Sequence, residues 1–197
     1  MNRMAPLALI LVAAIVAVGC VVIEDGEVGV SKSLGKIKTE PIGQGVVIQV
    51  PLFRTVETWN TKLQELKETA QVPSSEGLIV DLNTSLLFRV TPESAPMIRR
   101  TVGWNYVDLL ITPYFRSALR DVVSGYSIKK VYSQEGRKEI ASKVKGFLEE
   151  NLEPRGIIVV DVLLREVKLP QRFRDSIEAK LTAEQRVQLL SLDNSCR

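Results

Sequence analysis

One short segment carries residue types whose spacing could support covalent chemistry, the sequence SGYSIKK at residues 124–130. A serine hydroxyl becomes nucleophilic when a neighbouring base takes its proton, and Lys129 follows Ser124 and Ser127 closely enough to be that base. The chain contains no histidine, which excludes Ser-His and Cys-His catalysis. Because nothing in the sequence supplies an oxyanion hole, and the segment is typical of a break between helices, we predict no catalytic residues and no enzyme. A Ser-Lys hydrolase is the less favoured alternative.

Two further segments have features of ligand sites, but turns explain both better. GQGVVI at residues 43–48 begins like a nucleotide-binding glycine loop, yet Ile48 stands where the third glycine belongs. EDGE at residues 24–27 could attract a cation, yet Asp-Gly is a common turn sequence. We therefore predict no cofactor and no metal. The 26 basic and 23 acidic residues are interspersed, which argues against a nucleic-acid partner.

The N-terminal segment is the most apolar part of the chain. Residues 5–23, APLALILVAAIVAVGCVVI, carry no charge. As a helix rising about 1.5 Å per residue, this run would span roughly 28 Å, close to the roughly 30 Å hydrocarbon core of a bilayer. We therefore predict a single-pass anchor in the lipid bilayer over residues 1–23. The large apolar side chains that would contact lipid are Leu7, Leu9, Ile10, Leu11, Val12, Ile15, Val16, Val18, Val21, Val22 and Ile23.

The sequence leaves the orientation and processing of this segment open. Arg3 favours a cytoplasmic N-terminus and hence a domain on the non-cytoplasmic side of the membrane, but the lysines that follow the segment compete with it. AVGC at residues 17–20 resembles a lipoprotein cleavage site, which would make a lipidated Cys20 the mature N-terminus. A cleaved signal peptide is the weaker alternative, because the apolar run exceeds the roughly 7–15 residues of such peptides. We expect Cys20 and Cys196 to be free thiols.

The residues after the anchor, to about residue 90, show the patterns of β-strands. The best run is VDLNTSLLFRV at residues 80–90, where apolar or small residues alternate with polar ones as in a half-buried antiparallel strand. The residues expected on the buried face are Val80, Leu82, Thr84, Leu86, Phe88 and Val90. Those expected on the opposite face are Asp81, Asn83, Ser85 and Arg89.

Two helical patterns and a strand follow. The first apolar stripe, kinked at a proline, comprises Val107, Ile111, Tyr114, Ala118 and Val122. The second stripe, which EPRG at residues 153–156 ends, comprises Ile140, Val144, Phe147 or Leu148, and Leu152. IIVVDVLLREVKL at residues 157–169 is apolar on both faces at its start, which predicts an interior strand. Pro170 then begins a final helix.

This order of segments resembles a known family. RGIIVVDVLLREVKLPQRFRDSIEAKLTAEQ, residues 155–185, is similar to the strand-to-helix element of the Band 7 or SPFH domain, which stomatins, prohibitins, flotillins and bacterial membrane-protease regulators share. GEVGV at residues 26–30 and GQGVVIQVP at residues 43–51 are also similar, and residues 99–127 look closest to prohibitins. The matching positions of the strand-to-helix element are Gly156, Val167, Leu169, Phe173, Ser176, Ile177, Glu178, Ala179 and Lys180.

The resemblance implies an α+β fold in three parts. An N-terminal transmembrane helix leads into an SPFH/Band 7 domain over residues 24–169, an antiparallel β-sheet with packed helices, and residues 170–197 form a short C-terminal helix and tail. The implied function is that of a membrane-anchored prohibitin-like or stomatin-like scaffold, which self-associates and organises membrane proteins or lipids. The implied partners are the lipid bilayer, further copies of the chain or related family members, and membrane-bound proteases that it would regulate.

The C-terminal helix is where this sequence departs from the family. Family members continue the helix into a long coiled coil, whereas here it reaches SLDNSCR without sustained heptads. Phe173, Ile177 and Leu181 recur at four-residue spacing and are the predicted self-association residues. The alternative, which is slightly favoured for Phe173, is that they cap the globular core. We therefore expect weak, membrane-dependent association into small oligomers. A shortened family member that is non-functional, or that interferes with its relatives, is the alternative.

Overall fold

The computed structural model describes residues 19–50 and 53–168, in which seven strands precede four helices and one strand returns at the end. The predicted self-association residues Phe173, Ile177 and Leu181 lie outside the described residues. The strands are β1 (Gly19–Ile23), β2 (Glu27–Ser33), β3 (Lys36–Ile37), β4 (Gly45–Gln49), β5 (Arg54–Asn60), β6 (Gln64–Pro73), β7 (Ile79–Val90) and β8 (Ile157–Lys168). The helices are α1 (Ala95–Thr101), α2 (Thr112–Val123), α3 (Ile128–Tyr132) and α4 (Gln134–Leu152).

The described strands form three antiparallel sheets. β1 pairs with β4, the second sheet has the order β3-β2-β5, and the third has the order β6-β7-β8. Helices α2 and α4 lie on the third sheet, where α2 packs on β6 and α4 packs on β8, whereas α1 packs on β2 of the second sheet. One hydrophobic core joins the second sheet, the third sheet and the helices. This arrangement confirms the predicted α+β fold.

β7 is the middle strand of the third sheet and confirms the strongest strand prediction. Its alternate residues from Val80 to Val90 are buried in the core, as the period of two indicates. Ser85, predicted on the opposite face, is also buried, where it lies in register between Lys67 of β6 and Leu163 of β8. The side chains of neighbouring strands therefore cover the outer face at this position.

Among the described strands, β8 lies at the edge of its sheet, so the prediction of an interior strand is wrong. The register places Phe88 opposite Val159 and Leu87 opposite Asp161, which leaves Val160 as the extra residue of a β-bulge. The bulge shifts the alternation by one residue, so that Val159 and Val162 are both buried. An apolar run on both faces is therefore the signature of a bulge here, and not of a strand with two neighbours.

Helix α2 is preceded by a wide turn, which ends at Pro113. Residues Val107–Ile111 form a π-turn, in which the Thr112 amide donates to the carbonyl of Val107. Pro113 has no amide hydrogen and ends this turn by starting α2. The extra residue moves the apolar stripe, so the core receives Phe115 and Leu119 in place of the predicted Tyr114 and Val122, which are half-buried.

α4 confirms the second helical stripe with Leu148 as its third member. The buried residues of this stripe are Ile140, Val144, Leu148 and Leu152, whereas Phe147 is half-buried. The Ser133 hydroxyl caps the helix by accepting a hydrogen bond from the Gly136 amide at 3.0 Å. A 3₁₀ turn at Glu153–Arg155 and the left-handed Gly156 end it, as the sequence predicts.

The end of the predicted anchor helix requires a correction. Gly19–Ile23 form strand β1, so Val21, Val22 and Ile23 belong to the folded domain and not to a transmembrane helix. The other predicted anchor residues, from Leu7 to Val18, lie outside the described residues. Among residues 19–50 and 53–168, no helix is both long enough and apolar enough to cross a bilayer.

Candidate membrane-facing surface

Strand β1 forms because its β-branched residues find a matching partner. Val21 pairs with Val47 and Val22 with Val46, so the two strands satisfy each other's backbone hydrogen bonds. Ile23 is buried against β2, where the absence of a side chain at Gly29 leaves room for it. A Cβ atom added at Gly29 would lie only 2.5 Å from Ile23 Cδ1. The glycine of the GEVGV segment therefore attaches β1 to the rest of the domain.

The outward side of this two-stranded sheet is apolar and exposed. Cys20 pairs with Ile48 and Val22 with Val46, which places these four side chains on one side of the sheet, here called the β1–β4 face. The exposed fractions are 61% for Val22, 70% for Val46 and 62% for Ile48. A cluster of exposed aliphatic side chains without a charge is typical of a surface that contacts lipid or protein.

The β1–β4 face begins where the apolar N-terminal run ends. Gly19 is the first residue of β1, and the chain before it, residues 5–18, carries no charged side chain. At the other end of β1, the charged residues Glu24 and Asp25 form the turn to β2, and Gln44 donates to the Asp25 carboxylate at 2.6 Å. The uncharged surface is therefore bounded by a polar turn, as expected of a face that meets a membrane at one end.

Sequence reasoning missed half of this face. The predicted anchor includes Val22, and Val46 and Ile48 lie in the region with β-strand patterns, but sequence reasoning did not place the two segments on one surface. The sequence does contain a signal for the pairing of these strands, because the triplet VVI occurs at residues 21–23 and again at residues 46–48. Two such β-branched runs favour strand pairing over a helix that simply continues.

The structure does not bring together the serines and the lysine of the candidate hydrolase site. Ser124 donates to the backbone carbonyl of Asp121 at 3.0 Å, and Ser127 precedes α3 in the position of an N-cap residue. Among the hydrogen bonds of the described residues, none joins the exposed Lys129 to either serine. The arrangement is that of a turn between α2 and α3, and it favours no nucleophile.

A charged cluster beside this turn has a structural role. Glu139 of α4 accepts a hydrogen bond from the Tyr126 hydroxyl at 2.7 Å and pairs with Lys130 at 2.7 Å and Lys143 at 3.5 Å. The Lys130 hydrogen bond and then the Tyr126 hydrogen bond lower the pKa of Glu139 to about 2. Both ammonium groups also lie over the Tyr126 ring, at 5.3 and 5.0 Å from its centre. The cluster joins the α2–α3 turn to α4.

The fold and the motifs define a class of protein. Residues 21–190 match the SPFH domain / Band 7 family, and this range covers the larger part of the chain. The chain therefore belongs to the SPFH domain / Band 7 family, as its resemblance indicated, and family membership supports a scaffold role in general.

Prohibitins are among the proteins to which the chain is similar. Prohibitin-7, mitochondrial, of Arabidopsis thaliana is 24% identical over 149 residues, which cover 76% of this chain and 53% of that protein. Prohibitin-2 of Schizosaccharomyces pombe is 24% identical, over 79% of this chain and 53% of its own length. Mitochondrial prohibitin complex protein 1 of Caenorhabditis elegans is 20% identical, over 76% and 54% respectively. The chain thus spans about half the length of the curated relatives it matches.

Proposed function

We propose that this chain is a membrane-anchored scaffold of the prohibitin-like or stomatin-like kind, which self-associates and organises membrane proteins or lipids. The observation that carries the proposal is the β1–β4 face, an exposed uncharged surface that begins where the uncharged residues 5–18 end. The uncharged residues 5–18, inserted in the bilayer, would hold this face against the headgroups, where its aliphatic side chains leave water. The proposal includes no catalytic step, no cofactor and no nucleic-acid partner.

The anchor would also supply the condition for assembly. Confinement to a bilayer raises the effective concentration of subunits, so contacts too weak to hold subunits together in solution become sufficient. One relative is named as a member of a prohibitin complex, which supports association with further copies of this chain or with related family members. Phe173, Ile177 and Leu181 are the proposed contact residues after β8.

Membrane-bound proteases are the proposed clients of the assembly. A scaffold that surrounds such a protease would regulate it by limiting which membrane proteins approach it. The domain would lie on the non-cytoplasmic side of the membrane, as Arg3 before the apolar run favours.

Co-expression of two differently tagged copies of the full chain tests this function. We expect capture of one tag from membranes in mild detergent to recover the other copy and a reproducible set of membrane proteins. The variant Ile177→Glu with Leu181→Glu alters two of the proposed contact residues. It should keep the protein in the membrane and reduce recovery of the second copy. Recovery of neither a second copy nor any membrane protein by the unmodified chain would contradict the proposal.

A further inference from the structure

The turn between β2 and β3 holds a leucine in a conformation that leucine rarely adopts. Leu34 has a φ of 47° and Gly35 a φ of 84°, which are the values of a tight hairpin turn that favours Asn-Gly. The Leu34 side chain is 76% exposed, so among the described residues no packing offsets the unfavourable backbone. A strained position occupied by an exposed apolar residue indicates a role outside the domain's own core.

A second exposed apolar side chain lies beside this turn. The Leu34 amide donates to the carbonyl of Phe53 at 3.1 Å, and the Ser33 hydroxyl donates to the same carbonyl at 3.2 Å. Phe53 is 62% exposed. Leu34 and Phe53 together form what we call the Leu34 tip.

The Leu34 tip lies at the same end of the domain as the start of β1. Gly19 pairs with Gln49 at the end of β4, and the next residue, Val50, bridges to Arg54 at the start of β5. The Gln49 side chain accepts a hydrogen bond from the Val56 amide at 3.2 Å, which ties β4 to β5 here. The tip is therefore near the point where the uncharged N-terminal run joins the domain.

Basic residues without a local counter-charge surround the tip. Residues 31–38 and 53–56 contain no acidic residue, and the basic residues among them are Lys32, Lys36, Lys38 and Arg54. In the described part of the chain, no carboxylate lies within ion-pair distance of these four side chains. Arg54 directs its Nε toward Ser31 Oγ at 3.3 Å, and Lys36 and Lys38 are exposed. The tip thus combines two apolar side chains with an excess of positive charge.

We propose that the Leu34 tip is a lipid contact that selects anionic headgroups, an inference that rests on the proposed membrane anchoring. Leucine and phenylalanine side chains enter the boundary between headgroups and acyl chains, where aromatic and aliphatic groups leave water. The surrounding ammonium and guanidinium groups bind lipid phosphates, and each cation near a negatively charged surface strengthens the attachment. Because the N-terminal run joins the domain at this end, the partner that reaches the tip is the bilayer itself.

Fluorescence of a dye at the tip tests the inference on the full chain. Leu34→Cys, in a chain that also carries Cys20→Ser and Cys196→Ser, receives an environment-sensitive dye and is reconstituted into two kinds of vesicle. One kind is phosphatidylcholine alone, and the other is an equal mixture of phosphatidylcholine and phosphatidylglycerol. We expect the emission to shift to the blue in the mixed vesicles only, and the shift to diminish in high salt because salt screens the attraction.

Charge-reversal variants identify the groups responsible. Lys36→Glu with Lys38→Glu should abolish the blue shift, while the control Lys129→Glu with Lys138→Glu, which alters exposed lysines of α3 and α4, should leave it unchanged. A dye that stays in water in both vesicles, or that shifts equally in both, would overturn the inference even though the chain floats with the vesicles. A chain that does not float at all would overturn the proposed anchoring and the inference with it.

Discussion

At the scale of single residues, Gly156 shows why a motif position of this family is a glycine. Its φ is 80°, in the left-handed region, where a side chain is unfavourable. A Cβ atom there would overlap the Ser94 side chain and lie 2.9 Å from Thr91 Oγ1. Thr91 and Gly156 are also joined by a backbone hydrogen bond of 2.9 Å. Gly156 therefore allows the chain to leave α4, enter β8 and pass close to the end of β7.

Replacing this glycine should destabilise the domain. We expect Gly156→Ala to lower the free energy of unfolding by at least about 1–2 kcal/mol, because the left-handed conformation costs a residue with a side chain this much. The control Gly146→Ala, on the exposed side of α4 with open space around it, should instead raise it by about 0.5–1 kcal/mol. Urea unfolding followed by tryptophan fluorescence measures both. Equal stability of the two variants would contradict this account of Gly156.

The Glu139 cluster predicts a dependence of stability on pH. Its bonds to Lys130 and Tyr126 lower the pKa of Glu139 from 4.5 to about 2 in the folded protein, so the folded state favours the ionised carboxylate. The stabilisation is therefore complete above about pH 4.5 and is lost as the pH falls toward about 2. We expect Glu139→Gln to lower the melting temperature at neutral pH and to lose this effect in acid. Glu150→Gln on the same helix, an exposed residue outside the cluster, should show no such pH-dependent difference.

At the scale of elements, the sequence predicts what local periodicity determines and misses what long-range pairing determines. The predictions for β7 and α4 are correct because every residue of each apolar stripe lies on one face of one regular element. The place of β8 in its sheet is mispredicted, because its apolar residues on both faces come from a bulge at Val160, and the bulge depends on the register with β7. β1 is missed because an apolar β-branched run satisfies the length of a membrane helix, whereas its strand conformation depends on β4, which follows β2 and β3 in the chain.

The attachment of β1 can be tested at Gly29. We expect Gly29→Ala to destabilise the domain by about 1–3 kcal/mol, as overpacking does, because the new methyl group would press on Ile23 and lie 3.0 Å from Val56 Cγ1. Hydrogen exchange of the β1 amides should become faster than in the unmodified chain. Gly43→Ala is the control, because nothing lies within 4 Å of its added Cβ atom. Unchanged hydrogen exchange of the β1 amides would show that the packing of Ile23 does not require the space beside Gly29.

At the scale of the whole molecule, one end of the domain collects the features of a membrane contact. The β1–β4 face and the Leu34 tip both lie where the N-terminal run joins the domain. The sequence alone identifies the apolar run and the lysines after it, because composition is visible without a fold. It does not identify Val46, Ile48 and Phe53, because their exposure depends on how β4 and β5 pair.

The most direct test of the central claim is the membrane partition of the full chain with charges placed in the N-terminal run. Val12→Arg with Ile15→Arg should prevent insertion, because each arginine at the centre of a membrane helix is unfavourable by about 2.5–3.5 kcal/mol. We predict that the unmodified chain and the control Ser142→Arg with Glu150→Arg, at exposed positions of α4, float with vesicles and resist alkaline extraction. The charged N-terminal variant should remain in the soluble fraction. A variant that stays embedded, or an unmodified chain that alkaline extraction releases, would contradict the account.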